Sequence, residues 1–293
     1  MKLRIICLLF FINLPFVAKA EIIEPCSKKG SVVVVKEDSN DILFETNADK
    51  LIYPASLVKL MTSYLAFEAI TANKLTLNQE LTFSERAEEV SSVNKYNTLA
   101  VKAGDRISVI KALQGLIVKS YNENAIALAE AIAKDEWSFV RLMNDKALKL
   151  GMINTSFSNA SGLHAEGQYT TALDLARLAL SLKKDFPQFY NLFSEKNFEF
   201  NGKIVKSHNN FLHNFNGAEG MKTGFTSVSG YNLIASAKRN QDRLFSVVTG
   251  CKTSLQRDDL TRFVLDVAFM ELAQKSKNYL KKISLKKFNN IYN

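Results

Sequence analysis

The chain has 293 residues, of which 47% are hydrophobic, and it carries a formal net charge of +9. A chain of this length and hydrophobic content can bury one large core or two smaller ones. The sequence has no internal repeat or low-complexity segment, and its four prolines form no Pro-rich linker, which excludes a repeat protein. We expect one unit with two lobes.

The first 20 residues have the pattern of an export signal. Lys2 and Arg4 precede an apolar run over residues 5–17, and the next three residues match the A-x-A cleavage pattern. The apolar run is too short to span a bilayer comfortably, which disfavours the alternative of an uncleaved anchor. We therefore predict a signal peptide over residues 1–20, cleavage near Ala20, and export to the periplasm or cell envelope.

Strands are predicted near both ends of the remaining chain, with helices between them. β-rich patterns predict strands over 31–36, 42–45, a segment that contains 222–224, 230–237 and 244–249. Apolar spacing predicts helices over 56–72, 107–118, 122–134, 136–150, 171–183 and 255–273. This order is not a βαβ alternation, and an antiparallel sheet assembled from both chain ends explains it better. The predicted fold class is therefore α+β.

Ser56 and Lys59 form a Ser-x-x-Lys motif at the start of the first predicted helix. Pro54 marks the entry to this helix, so Ser56 should lie in the first turn, where the helix dipole favours an anion. Lys59 follows on the same face, close enough to exchange a proton with the Ser56 hydroxyl. A lysine can act as a base near neutral pH only if burial or a neighbouring cation lowers its pKa, and we expect Lys222 to be that cation.

Two further polar segments accompany the Ser56 motif. Ser120-Tyr121-Asn122 supplies a second hydroxyl and an amide, and Lys222-Thr223-Gly224 supplies a charge, a hydroxyl and a glycine on a predicted edge strand. Ser-x-x-Lys and Ser-x-Asn recur elsewhere in the chain, so an isolated match could be a capping serine beside a solvated lysine. A lone glycine weakens a strand and needs a reason. Gly224 removes a side chain where another backbone must approach, and contact with a substrate is one such reason. Together the segments indicate an active-site serine enzyme that acts on an acyl-D-alanine bond.

The three segments resemble the active-site motifs of low-molecular-mass penicillin-binding proteins, specifically the serine D-alanyl-D-alanine carboxypeptidases. Residues 158–163 and 250–257 are also similar to segments of this family, and the resemblance extends from about residue 30 to about residue 270. It implies a β-lactamase/transpeptidase-like fold, with a five-stranded antiparallel sheet flanked by helices plus a helical lobe. The catalytic domain is expected over residues 21–274.

The resemblance implies how the acyl transfer proceeds. Ser56 attacks the carbonyl of the penultimate D-alanine, Lys59 takes its proton, and Ser120 relays a proton to the leaving nitrogen. The backbone N–H groups of Ser56 and Phe225 hold the oxyanion. Phe225 replaces the polar residue that often follows Lys-Thr-Gly in the family, which removes a side-chain contact to substrate. Water then releases the acyl group from Ser56.

The remaining site residues are expected to bind the peptidoglycan stem peptide. Asn122 holds the substrate backbone amide, and Lys222, Thr223 and Arg257 bind the free carboxylate beside Gly224. This arrangement implies removal of the terminal D-alanine from stem pentapeptides. A D,D-endopeptidase acting on cross-linked peptides remains an alternative, because it uses the same acyl-enzyme.

Two rival functions are less well supported by the sequence. A class A β-lactamase shares the three motifs, but no Glu-x-x-Leu-Asn segment occurs between the second and third of them. We therefore expect β-lactam antibiotics to act as covalent inhibitors that stay on Ser56. A non-catalytic peptidoglycan-binding protein with a relic site is disfavoured, because every residue that the chemistry requires is present: Ser56, Lys59, Ser120, Asn122 and Lys222.

Tyr121, which is larger than usual at its position, could line the cleft or pack beneath the next helix.

Cys26 and Cys251 both remain after signal cleavage, in an oxidising compartment. In the family fold, strand 31–36 would pair with residues 244–250, and this pairing would bring the two cysteines together. We therefore hypothesise a disulfide, against the alternative of two unrelated thiols.

Charge is concentrated in the basic C-terminal tail, residues 275–293, which has six lysines and no acids. Loss of the signal lowers the net charge to +6, so the rest of the protein is close to neutral and no nucleic-acid partner is expected. The tail could make a weak contact with an anionic membrane surface, although a solvated tail is favoured.

No metal or other cofactor is expected, because ligand spacing is absent at the three histidines, His164, His208 and His213.

Overall fold

The computed structural model describes residues 26–28, 30–93 and 98–291, and the predicted signal peptide lies outside them. The strands are β1 (Ser31–Lys36), β2 (Ile42–Thr46), β3 (Glu80–Thr82), β4 (Arg106–Ser108), β5 (Asn197–Phe200), β6 (Lys203–Lys206), β7 (Ala218–Thr226), β8 (Gly230–Arg239) and β9 (Asp242–Cys251). The helices are α1 (Lys59–Thr71), α2 (Glu85–Val93), α3 (Val109–Gln114), α4 (Asn122–Ala133), α5 (Glu136–Lys149), α6 (Ala172–Asp185), α7 (Asn210–Asn214) and α8 (Ser254–Ile291). Short 3-10 helices span Ala55–Val58 and Pro187–Ser194, and a π-helical turn spans Gly115–Lys119.

Five strands from both ends of the chain form the central antiparallel sheet, in the order β2-β1-β9-β8-β7. β1 pairs with β9, so that Val33 lies opposite Val247 and Val35 lies opposite Phe245. The first five residues of β1 are all buried, because successive side chains point to opposite faces and helices cover both faces. The sheet confirms the predicted α+β class, and β7 is an edge strand as expected.

Two hydrophobic cores lie on opposite faces of this sheet. On one face, Val33 and Val247 join a large core with residues of α1 and α6. On the other face, Val32, Val248 and Val264 form a smaller core beneath α8. Helices α2 to α5 extend the large core into a lobe beside the sheet. The turn before α1 and the π-helical turn before α4 both contact the edge strand β7.

Some elements differ from the predicted ones. The hairpins β3–β4 and β5–β6 were not predicted, because their strands have only three or four residues and carry several charged side chains. Helix α8 extends beyond the predicted end at residue 273 and continues to Ile291. Within the part of the chain that the structure describes, no helix combines the length and apolarity that a membrane crossing requires.

A disulfide joins Cys26 to Cys251 at the end of β9, with the two Cα atoms 4.7 Å apart. The Ser27 hydroxyl next to it donates a hydrogen bond to the Gly250 carbonyl at 2.8 Å. The pairing of β1 with β9 brings the two cysteines together, as the family resemblance implied, and the hypothesised disulfide is therefore present in the structure.

Candidate active site

Ser56 lies in the 3-10 helix Ala55–Val58 that leads into α1, with Pro54 immediately before it. The Leu57 N–H donates to the Pro54 carbonyl at 3.2 Å, which closes this turn. The position confirms that Ser56 lies at the entry to the helix, one turn before Lys59. Its hydroxyl faces a cleft between the helical lobe and β7.

Three oxygen atoms surround the Lys59 amine. Its Nζ lies 3.0 Å from Ser56 Oγ and 2.7 Å from Asn122 Oδ1, and it also bonds to the Ser161 carbonyl oxygen. An amide oxygen and a carbonyl oxygen can only accept hydrogen bonds. They therefore engage both N–H groups of the neutral amine, which leaves its lone pair for the proton of Ser56.

Burial lowers the pKa of Lys59 to about 7, whereas the carboxylate of Glu123 acts in the opposite direction. The Lys59 side chain is almost completely excluded from solvent, which disfavours its charged form. Of the two causes named from the sequence, burial and a neighbouring cation, burial is the main one, and Lys222 is not. Lys59 and Lys222 also disfavour each other's charged form, and the Lys222 pKa is held well below its usual value.

Ser120 and Asn122 flank the start of α4. The π-helical turn ends at Lys119, and the φ of +66° at the next residue, Ser120, turns the chain sharply so that Ser120 and Asn122 both line the cleft. Ser120 Oγ is buried and has no hydrogen-bond partner within the described residues. Tyr121 packs against Val118 and Phe198 on the other side and is not part of the cleft wall, which supports the packing alternative for this ring.

Lys222-Thr223-Gly224 lies on the edge strand β7, as predicted. The Lys222 side chain is buried, and its Nζ donates to the Thr223 carbonyl at 3.0 Å. Burial, Lys59 and Arg257 hold the Lys222 pKa well below its usual value. Lys222 has no acidic partner among the residues that the structure describes.

Gly224 lies where another backbone approaches, as expected, and the structure identifies that backbone. A Cβ at this position would lie 3.2 Å from the Pro54 carbonyl oxygen and 3.3 Å from the Leu57 backbone nitrogen. The glycine therefore lets β7 approach the turn that carries Ser56. Contact with substrate, which we expected, is not required to explain it.

Arg257 and Phe225 are the two remaining residues of the predicted site. Arg257, near the start of α8, is buried and donates through Nε and Nη2 to Asp258 at 2.9 and 2.8 Å. The Phe225 ring is half exposed and packs on Tyr231, with the ring centroids 4.2 Å apart. Both residues line the cleft.

The loop that contains Ser161 and Gly162 was assigned no role from the sequence. Asn159 Oδ1 accepts a hydrogen bond from Gly162 N at 2.7 Å and thereby shapes this loop. Gly162 has a φ of +82°, and a Cβ there would lie only 2.0 Å from the Ala55 carbonyl oxygen. The loop thus presses against the Ser56 turn and presents the Ser161 carbonyl to Lys59. The similarity of segment 158–163 to the family was the signal that could have found it.

The cleft has a volume of about 620 Å³. It brings together most of the predicted site, and its walls include Ser56, Ser120, Asn122, Gly162, His208, Thr223, Gly224, Phe225, Ser254 and Arg257. Lys59 and Lys222 lie buried behind these walls. Among residues 26–28, 30–93 and 98–291, no cluster of three or more histidine, cysteine or acidic side chains could hold a metal ion.

Comparisons with known proteins agree with this geometry. D-alanyl-D-alanine carboxypeptidase DacC of Escherichia coli K12 is 38% identical over 249 residues, which cover 84% of this chain and 62% of the relative. Penicillin-binding protein 5 of Haemophilus influenzae has a similar structure, with a TM-score of 0.78, 34% identity, and coverage of 85% of this chain and 73% of that one. Penicillin-binding protein D2 of Listeria monocytogenes in its ampicillin-bound form has a TM-score of 0.71 and 30% identity, and covers 82% of this chain and 96% of that one.

The chain thus spans about three fifths of the length of the curated relative DacC. A family profile described as D-alanyl-D-alanine carboxypeptidase, peptidase S11, matches residues 19–253, which is most of the chain. The chain therefore belongs to the D-alanyl-D-alanine carboxypeptidase family of peptidases.

Proposed function

We propose that this protein is a serine D-alanyl-D-alanine carboxypeptidase that removes the terminal D-alanine from peptidoglycan stem pentapeptides. The observation that carries the proposal is the environment of Lys59. Its amine lies 3.0 Å from Ser56 Oγ and its pKa is about 7, so a large neutral fraction is present at physiological pH. A neutral amine in this position can take the Ser56 proton as the hydroxyl attacks the substrate.

In the first step, Ser56 Oγ forms a bond to the carbonyl carbon of the penultimate D-alanine while its proton passes to Lys59. The N–H groups of Ser56 and Phe225 stabilise the negative oxygen. The close approach of β7 to the Ser56 turn at Gly224 supports this pairing of donors. Ser120, whose hydroxyl is unpartnered among the described residues, relays a proton to the leaving nitrogen as the C–N bond breaks.

The charge distribution favours a substrate with a free carboxylate. Lys222 and Arg257 are both buried at the cleft, and the one carboxylate that pairs with either, in the described part of the chain, is Asp258 on Arg257. An incoming carboxylate supplies the missing negative charge at Lys222, with the Thr223 hydroxyl beside it. The terminal D-alanine carries that carboxylate, and this favours carboxypeptidase over endopeptidase action. Asn122 presents its amide to the substrate backbone while its oxygen holds Lys59.

Hydrolysis of the acyl-enzyme by water completes the reaction. The sequence lacks the Glu-x-x-Leu-Asn segment of class A β-lactamases, so β-lactams are expected to leave a long-lived adduct on Ser56. The structural similarity to a penicillin-binding protein with bound ampicillin supports this expectation. We further propose that the protein acts after export and signal cleavage near Ala20, and that residues 275–293 can make a weak contact with a membrane surface.

The test uses the purified mature protein and two muropeptides, a pentapeptide monomer and a cross-linked dimer. The expected result is release of free D-alanine from the monomer, seen by mass spectrometry, with the dimer left intact. Ser56→Ala should abolish both the release and the mass increase upon treatment with penicillin. Cleavage of the dimer in preference to the monomer would contradict the proposal and support the endopeptidase alternative.

A further inference from the structure

His208 lies in the loop between β6 and α7, and it lines the cleft together with Arg257. Backbone hydrogen bonds fix the chain on both sides of it. Ser207 N donates to the Lys196 carbonyl at 2.8 Å, and Asn209 N donates to Ser207 Oγ at 3.1 Å. The imidazole is therefore held in the cleft wall, within electrostatic reach of Arg257 and Lys222, which are expected to bind the carboxylate.

The His208 ring makes no hydrogen bond within the described residues, although it is partly buried. A neutral imidazole has one N–H donor and one nitrogen acceptor. Both are therefore available to a molecule that enters the cleft. The ring does not hold the loop in place, because the loop is anchored by backbone groups and by the buried Phe211.

Positive charge surrounds this ring on several elements. The pKa of His208 is lowered to about 3, mainly by burial and further by Lys222, Lys119, Arg257 and Lys59 in their charged forms. These cations belong to β7, the end of the π-helical turn, α8 and α1, respectively. In the empty cleft, His208 is consequently neutral at any pH at which the protein would work.

The acids near these cations, Asp258 and Glu123, do not line the cleft. Asp258 pairs with Arg257. One carboxylate oxygen of Glu123 accepts from Thr98 and from the backbone of Leu99, the other has no hydrogen-bond partner among the described residues, and the charge of Glu123 raises the pKa of Lys59. The terminal carboxylate of the substrate would be the first negative charge to enter the cleft itself.

We propose that His208 takes up a proton from solvent when this carboxylate enters, and then donates a hydrogen bond to it. The inference rests on the proposed function, since it assumes a substrate with a free C-terminal carboxylate. The proton returns to solvent when D-alanine leaves. His208 is thus a substrate-binding residue that couples binding to pH, and Lys59 remains the base of the acyl transfer.

The size of the effect follows from simple electrostatics. One negative charge about 4 Å from the ring, at an effective dielectric constant of about 20, raises a pKa by about three. Such a rise returns His208 toward the ordinary range of a histidine. Binding of the carboxylate is then linked to proton uptake at pH 5 and independent of it at pH 8. We expect carboxylate binding to be favoured about tenfold at pH 5 relative to pH 8.

The test compares an N-acyl-D-alanyl-D-alanine peptide with the same peptide bearing a C-terminal amide. The measured quantity is the ratio of kcat/KM for the acid to kcat/KM for the amide, from pH 5 to pH 8. Protonation of Lys59 in the free enzyme affects both substrates equally and cancels in this ratio. In the wild-type protein the ratio should be about tenfold higher at pH 5, and in His208→Gln it should not change with pH.

A second measurement detects the proton directly. Calorimetry of the acid peptide binding to Ser56→Ala, in two buffers of different ionisation enthalpy, counts the protons taken up at pH 5.5. We expect uptake with the acid, none with the amide, and none in the Ser56→Ala/His208→Gln double variant. This measurement requires no turnover, so it tests His208 even if the wild-type protein hydrolyses neither peptide, which would contradict the proposed function alone.

Two results would overturn the inference about His208. A ratio that is constant with pH in the wild-type protein would show that no proton accompanies the carboxylate. A pH-dependent ratio that persists unchanged in His208→Gln would assign the proton to another group, of which Lys222 is the nearest candidate. Melting temperatures of His208→Gln and His208→Asn identify any variant that fails to fold. The ratio of kcat/KM is then compared between the wild-type protein and the variant that folds.

Discussion

The lowered pKa of Lys59 predicts how acylation depends on pH. A lysine with the ordinary value of 10.5 would be neutral in about one molecule in 3,000 at pH 7, whereas Lys59, with a pKa of about 7, is neutral in about half of them. Below pH 6 the rate should fall about tenfold for each pH unit, which makes it about 50-fold slower at pH 5 than at pH 7.

Glu123→Gln tests the cause of this behaviour. The Glu123 carboxylate raises the Lys59 pKa, so its neutralisation should lower that pKa further. The acidic limb of the profile should then move to lower pH, and the variant should be faster than the wild-type protein at pH 5. One Glu123 oxygen accepts from Thr98, and the glutamine oxygen can keep this bond.

The assay is kcat/KM for the C-terminal amide peptide between pH 4.5 and 9, because this constant reports the free enzyme and the amide does not engage His208. Melting temperatures at each pH serve as the control for unfolding. A rate that stays constant from pH 7 to pH 5 would refute the assignment of Lys59 as the base. A limb that moves to higher pH in Glu123→Gln would refute the electrostatic argument.

Three further changes test the scaffold of the site. Gly162→Ala places a Cβ 2.0 Å from a backbone oxygen, so this variant should unfold at a much lower temperature and be acylated slowly. The control is Gly151→Ala, which has a similar positive φ but open space around it. It should lose only about 1–2 kcal/mol of stability. Asn122→Ala removes one of the two acceptors that orient the Lys59 amine. The rate of penicillin acylation should fall about 100-fold in a rapid-quench assay, and an unchanged rate would contradict the proposed role of this contact. Joint replacement of Cys26 and Cys251 by serine should lower the free energy of unfolding by about 2–5 kcal/mol in urea titrations, and reductant should then have no further effect.

The sequence predicted the parts of the site that depend on short-range spacing. Lys59 is three positions after Ser56, so helical geometry alone places them together. The groups that orient the Lys59 amine could not be found in this way, because Asn122 is 63 residues away and Ser161 is 102 residues away. Contacts over such separations depend on how the lobe packs against α1, which no local pattern encodes.

In the fold, too, the elements with a clear local pattern were predicted and the others were not. The valine run of β1 predicted a buried strand, and the late hairpin of β8 and β9 was predicted with ends close to those observed. The short strands β3 to β6 lack a repeating pattern and were missed. A close backbone approach at Gly224 was predicted, but which backbone approaches required the structure, because it belongs to a turn about 170 residues earlier in the chain.

The sheet that supports the site has a consequence for how the chain reaches its native state. Ser31 of β1 pairs with Thr249 of β9, 218 residues later, and β9 is the central strand of the sheet. The β1 edge of the β1–β2 hairpin therefore stays unpaired until β9, which lies more than 200 residues later, has joined the sheet. Such long-range closure slows folding, and the unpaired edge is exposed to pairing with other chains. Folding yield should consequently depend on protein concentration more strongly than the compact native structure suggests.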